Sequence, residues 1–90
     1  MGQLMALYPN FTDQDMKVYN NAEYFTVFQK RGNRRAHCYK KQFESLELAM
    51  EDAENTFNEF PQYGAMVYAV SGHRDCMIGA YNHNGGEIYI

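Results

Sequence analysis

Gln42–Phe60 reads QFESLELAMEDAENTFNEF, and its spacing decides the fold. Apolar residues fall at Leu46, Ala49, Met50, Ala53, Phe57 and Phe60, one stripe of an α-helix rather than the alternation of a strand. Ser45 offers a side-chain oxygen to the first free amides, so it predicts the helix start. Pro61 lacks an amide hydrogen and predicts the stop. Glu44, Glu47, Glu51, Asp52, Glu54 and Glu59 fill the remaining faces, and the early ones suit the positive end of the helix dipole. A helix with one apolar stripe must lay it against something, and the flanking sequence supplies strands.

On the N-terminal side, Glu23–Gln29 (EYFTVFQ) is aromatic and β-branched, the strongest strand signal in the chain. Phe25 and Val27 point one way; Tyr24, Thr26 and Phe28 point the other. Gly32–Asn33 turns the chain, and Arg35–Lys41 reads as the second strand, with Ala36 and Cys38 on one face and His37 and Tyr39 on the other. Farther back, Thr12 stands three before Asp15 and predicts a short capped helix over Asp13–Tyr19, buried through Met16 and Tyr19 with Phe11. Residues 1–10 read as a loose lead-in. On the C-terminal side, Ala65–Val70 is a strand, Ser71–Asp75 a turn, and Cys76–Tyr81 a strand with Cys76, Ile78 and Ala80 inward. Gly79 within it marks a bulge or a close contact. Asn84–Gly85–Gly86 is a tight turn before a last strand, Glu87–Ile90. The expectation is a single α+β domain over 1–90, of two layers. Its order is α-β-β-α-β-β-β, with a mostly antiparallel sheet and the main helix on one face.

The composition is that of a folded chain: 46% hydrophobic and 21% charged. Eight Tyr and six Phe with no Trp predict an aromatic-rich core, with some tyrosines left at the surface. No stretch approaches the roughly 20 apolar residues of a membrane span. The opening MGQLMALYPNFTDQD has no basic end and only a short apolar run, so it does not read as a secretion signal. Two cysteines, Cys38 and Cys76, without export features are expected to stay reduced, in a cytoplasmic protein.

Charge is segregated. Phe28–Lys41 (FQKRGNRRAHCYKK) holds Lys30, Arg31, Arg34, Arg35, Lys40 and Lys41, whereas the whole chain carries a net charge of −3. The ordinary reading is a solvated hairpin tip. Two functional readings compete with it. Clustered cations beside Tyr24, Phe28, His37 and Tyr39 suit a nucleic acid or nucleotide, gripped by the basic hairpin 30–41 and an aromatic sheet face. The same cations, set against the acidic helix, also make a dipolar surface for a protein partner. An acidic chain is a poor electrostatic footprint for nucleic acid, which favours the protein.

Catalytic and metal chemistry find little support. His73-x-x-Cys76 is a tolerable ligand spacing, and His37, Cys38, Asp75 and His83 are further candidates. Neighbours such as His37 and Cys38 point to opposite faces of a strand, and no Cys-x-x-Cys or His-x₃-His pair anchors a zinc site. Ser71-Gly72-His73 is turn composition, not a nucleophile elbow. Gly85–Gly86 lacks the lysine and the following helix of a phosphate loop. The expectation is no catalytic set, no metal and no cofactor.

The stretch FESLELAMEDA, set between two hairpins and joined to Asn-, Tyr- and Met-rich usage with little Leu, resembles small single-domain proteins of phages and other mobile elements. The likeness covers about residues 23–81 and transfers no functional residue. It implies a non-enzymatic inhibitor that blocks a host enzyme or a defence complex, such as a CRISPR effector, by protein contact in the host cytoplasm. The contact residues expected from the charge pattern are Arg31, Arg34, Arg35, Tyr39, Glu47, Glu51 and Glu54. The apolar strand 87–90 is also a candidate edge for a homodimer.

Overall fold

The computed structural model describes residues 12–36 and 41–90. The elements in chain order are α1 (Asp13–Asn20), β1 (Tyr24–Arg31), β2 (Arg34–Ala36), α2 (Leu46–Glu59), β3 (Gly64–Ser71), β4 (Arg74–Asn82) and β5 (Gly85–Ile88). The strands form one sheet in the order β2-β1-β3-β4-β5, and every neighbouring pair is antiparallel. The expected α+β order and antiparallel sheet are therefore present.

Helix α2 starts where the sequence places it. Ser45 Oγ accepts a hydrogen bond from the Leu48 amide at 3.2 Å. The expected stripe faces the sheet, and at its centre Ala49 and Ala53 have no exposed surface at all. Two alanines at that contact let the helix lie close over Ala65, Val67 and Ala69, which are equally buried. This corrects the expectation of an aromatic core. The buried cluster is Val, Ala, Ile and Cys, while Phe25, Phe43, Phe57, Tyr19 and Tyr81 pack only around its margin. Rings need more space than an alanine-spaced helix leaves.

Helix α1 has the predicted capping box. Thr12 Oγ1 accepts from the Asp15 amide, and Asp15 Oδ2 accepts from the Thr12 amide. Its buried residue is Val18, not Met16, which is 40% exposed. Asp15, Val18, Tyr19 and Ala22 form the i, i+3, i+4, i+7 line toward the sheet, and Met16 falls off it. Phe11 lies outside the described residues. Val18 joins the same buried cluster as Ala49 and Ala53, so both helices cover the same face of the sheet.

Two strand expectations shift. Among the described residues β2 is Arg34–Ala36; of the rest of the expected strand, 37–40 lie outside the described residues and Lys41 is not in a strand. Beyond it Phe43 bridges Phe25 through two backbone hydrogen bonds of 2.8 Å. The last turn is His83–Asn84, closed by the Asn84 amide donating to Asn82 Oδ1 at 2.8 Å, so Gly85 and Gly86 open β5 instead of forming the turn. The ladder continues past β5, because the Tyr89 amide donates to Ile78 O at 2.8 Å.

Gly79 is both things expected of it. Val67 pairs with Gly79 but Tyr68 pairs with Met77, so Ile78 is an extra residue on β4. The bulge resets the strand's phase. Cys76 and Ile78 face the helices as expected, but Ala80, although buried, turns to the opposite face with Met66.

Candidate functional site

That opposite face is the candidate site. Register places Tyr24, Thr26, Phe28 and Lys30 of β1 there, with Met66, Tyr68 and Val70 of β3 beside them. Asp75 and Met77 follow on β4, and Glu87 on β5. Among the described residues, no helix covers it.

At its centre lies a layered cluster. Phe28 and Tyr68 meet edge to face, with centroids 5.1 Å apart and planes at 81°. Arg35, from β2, lays its guanidinium over both rings, 4.7 Å from the Phe28 centroid and 4.6 Å from that of Tyr68. The guanidinium then reaches Asp75 Oδ2 at 2.9 Å. The hydrogen bond that Arg35 donates to Asp75 raises the Arg35 pKa above its ordinary value, against the smaller opposing effect of burial. Four strands thus contribute one arginine, two rings and one carboxylate. All three partners contact the long Arg35 side chain.

Shallow depressions among the described residues cross the same face. One of about 240 Å³ lies between Tyr24, Phe28, Lys41 and Asp75. One of about 440 Å³ is lined by Lys30, Arg34, Arg35, Met66 and Tyr68. One of about 340 Å³ involves Met66, Met77, Ala80 and Tyr89. A row of open depressions suits an extended partner surface better than an enclosed small molecule.

The structure divides the residues expected to make contact. Arg35 is the centre of the cluster. Arg34 is exposed at the hairpin. Arg31 turns to the helix side, where Nε and Nη2 donate to Gln29 Oε1 at 2.9 and 2.6 Å and its guanidinium stacks 4.8 Å from the Tyr63 ring centroid. Its work is structural, since Gln29 is almost wholly buried. Tyr39 lies outside the described residues. Glu47, Glu51 and Glu54 are exposed on α2, on the other side of the sheet from Arg35, and Glu54 accepts a hydrogen bond from the Tyr81 hydroxyl at 3.2 Å. Arg35 and the α2 carboxylates therefore lie on opposite sides of the sheet, whereas Arg31 shares the helix side. Lys41 Nζ lies 3.3 Å from Asp52 Oδ1 and so links the basic segment to the acidic helix, and a surface pair of this kind is worth about 0–1 kcal/mol.

Tyr68 and Asp75 were missed as site residues. The signal for Tyr68 is present in Ala65–Val70, where Ala65, Val67 and Ala69 alternate with the larger Met66 and Tyr68. Asp75 had no comparable signal, because its partner depends on the strand order.

The thiol of Cys76 is placed for packing. It is 5% exposed on the helix side and donates to Asp15 O at 3.3 Å, while Asp75 faces the other way. Burial, with the charges of Asp15 and Asp75 adding to it, pushes its pKa up to about 11. A reactive thiol needs the opposite shift. In a Cys38→Ser chain at pH 8, Cys76 should react with a thiol reagent about a hundredfold more slowly than free cysteine and recover that rate in denaturant. A native rate near that of free cysteine would contradict the assignment. His73 sits in the exposed turn between β3 and β4, and no three His, Cys, Asp or Glu side chains gather as a metal site among the described residues. No helix among them is long and apolar enough to cross a membrane. In comparisons with protein-family models, curated proteins and solved structures, the chain matches none.

Proposed function

We propose that this chain is a non-enzymatic binding protein, an inhibitor of the phage type that blocks a host enzyme or defence complex by docking its open sheet face on it. The supporting observation is the Arg35–Phe28–Tyr68–Asp75 cluster on a face that no described helix covers. Arginine, tyrosine, phenylalanine and methionine are the residues that enrich protein interfaces. An arginine already fixed by two rings and a carboxylate loses little freedom on docking, so its contacts are not offset by ordering cost. The face is also mixed in sign, with Asp75 and Glu87 beside Lys30 and Arg35, which suits a protein surface better than a phosphate backbone. Glu47, Glu51 and Glu54 fall outside this contact.

The depression lined by Lys30, Arg34, Arg35 and Tyr68 favours a second reading, nucleic-acid or nucleotide binding at the hairpin. Reversing Arg35 would not separate the two, because it also breaks the cluster. Lys30→Glu with Arg34→Glu leaves the cluster intact. A photo-crosslinking residue at Met77, on the open face, should join to a host protein, and the same residue at Glu51 on α2 should not. Tyr68→Ala should weaken that capture at least about thirtyfold, the loss expected of a ~2 kcal/mol interface anchor. The Lys30/Arg34 reversal should change it little. Crosslinks to RNA or DNA that vanish on the Lys30/Arg34 reversal would establish the second reading instead. Protein crosslinks from Glu51 alone, or none from either position, would overturn the open-face reading.

A further inference from the structure

β5 is the outer strand of the sheet, and nothing among the described residues pairs with its far edge. Ala80 pairs with Glu87, and the Tyr89 amide donates inward to Ile78 O. Antiparallel alternation then aims the backbone groups of Glu87 and Tyr89 at β4, and those of Gly86, Ile88 and Ile90 away from it. Sheet edges are normally blunted by lysine, proline or a bulge. The outward positions here are Gly86 and the isoleucines, and Ile88 is 43% exposed.

We propose that β5 pairs antiparallel with β5 of a second copy, about a two-fold axis at Ile88, to make one continuous sheet. The choice of occupant follows from self-complementarity. A two-fold axis makes each residue face its mirror position in the other copy. Centred on Glu87, the pairing sets two carboxylates directly opposite each other, which is destabilising. Centred on Gly86, it sets Ile88 against the polar turn residue Asn84. Centred on Ile88, it sets Ile88 against Ile88, Gly86 against Ile90, and each Glu87 against the uncharged Tyr89 of the other copy. Every outward amide and carbonyl of Gly86, Ile88 and Ile90 then has a partner. The apolar side closes as well. Ile88 shares the helix side with Gly79, its ladder partner; Ile90 packs against the core; and the methyl of Met50 lies over Gly86. Isoleucines from both copies thus meet beneath the two α2 helices. The open faces come to lie side by side on one sheet, giving a dimer two docking surfaces for a repeated or bulky target.

Light scattering and sedimentation equilibrium should give twice the chain's 10.5 kDa. Ile88→Lys and Ile88→Pro should each weaken dimerisation at least about a hundredfold with an unchanged folded spectrum, because the Ile88 amide takes no part in the β4 ladder. The register is tested separately in a Cys38→Ser chain. Ile88→Cys should form an inter-copy disulfide on mild oxidation, since paired Cα atoms about 5.5 Å apart lie within disulfide range. Gly86→Cys should not, because the two copies of residue 86 would be about 14 Å apart at ~3.4 Å per residue. A monomer at all concentrations, a dimer indifferent to Ile88→Lys, or crosslinking at Gly86→Cys in place of Ile88→Cys would each overturn the proposal. None of these outcomes bears on whether the open face binds a host protein.

Discussion

Replacing Ile78 with alanine should remove about 3–4 kcal/mol of unfolding free energy, a large loss for a single truncation. Among the described residues Ile78 is the largest fully buried side chain, with no exposed surface. It is also the extra residue of the bulge, so no β3 residue stands opposite it. Its neighbours in the buried cluster are chiefly alanines and valines, short side chains that cannot swing into the space left behind. The transfer loss and the cavity cost therefore add with little relaxation. A chain of 90 residues has roughly 5–13 kcal/mol in total, so the change removes a quarter to more than half of it. Urea unfolding should show a lower midpoint at an unchanged slope. Ile78→Val should cost only about 1 kcal/mol. Leu48→Ala, at a site 48% exposed, should stay within about 0.5 kcal/mol. A loss below about 1 kcal/mol for Ile78→Ala would mean that the bulge is not the anchor of the core.

The bulge also marks where the sequence stops being legible. Helix α2 could be read in full, because its stripe, the Ser45 cap and Pro61 are local signals that agree with one another. The same is true of the Thr12 capping box and of the Gly32 turn, where a φ of +65° calls for glycine. The phase of β4 could not be read. A period-2 pattern carries Cys76, Ile78 and Ala80 to one face, and one inserted residue sends Ala80 to the other. The counts of Tyr and Phe suggested an aromatic core, but position outweighs count. Ala49 and Ala53 bring α2 too close to the sheet for rings, so Phe28 and Tyr68 stand on the opposite face. Arg35 was legible as a surface cation. Its partner was not, because Asp75 comes within reach only when β1 and β3 are the strands between them, and no local pattern encodes that order. The carboxylates Glu47, Glu51 and Glu54 were legible as a helix face, and they are exposed on α2, while Asp52 is half-buried beside Lys41 and Thr56. Combining them with Arg35 required both on one side of the sheet, and the helix takes its carboxylates to the other.

Gly79→Ala should cost up to about 3 kcal/mol and should act chiefly on β5. A Cβ at Gly79 would lie 2.8 Å from Glu87 O and 3.1 Å from Met50 Sδ. The methionine end is flexible and can give way; the Glu87 carbonyl belongs to the backbone of β5 and cannot move without the strand. Gly79 pairs with Ile88, so the strand must shift at the position proposed to meet its copy. The expected result is selective. Hydrogen exchange should rise at Glu87 and Tyr89, the amides that face β4, well before it rises in β1 and β3. Dimerisation should weaken along with it. Gly72→Ala supplies the comparison, because there the φ of +61° imposes backbone strain of about 1–2 kcal/mol although no atom lies within 4 Å of the new methyl. That loss should appear at the β3–β4 turn and leave β5 protected. Equal effects of the two substitutions on β5 exchange would show that the strand responds to global stability alone. A selective effect of Gly79→Ala would show that the closeness of Gly79 to Glu87 is what seats the sheet's outer strand, and with it the edge offered to a second copy.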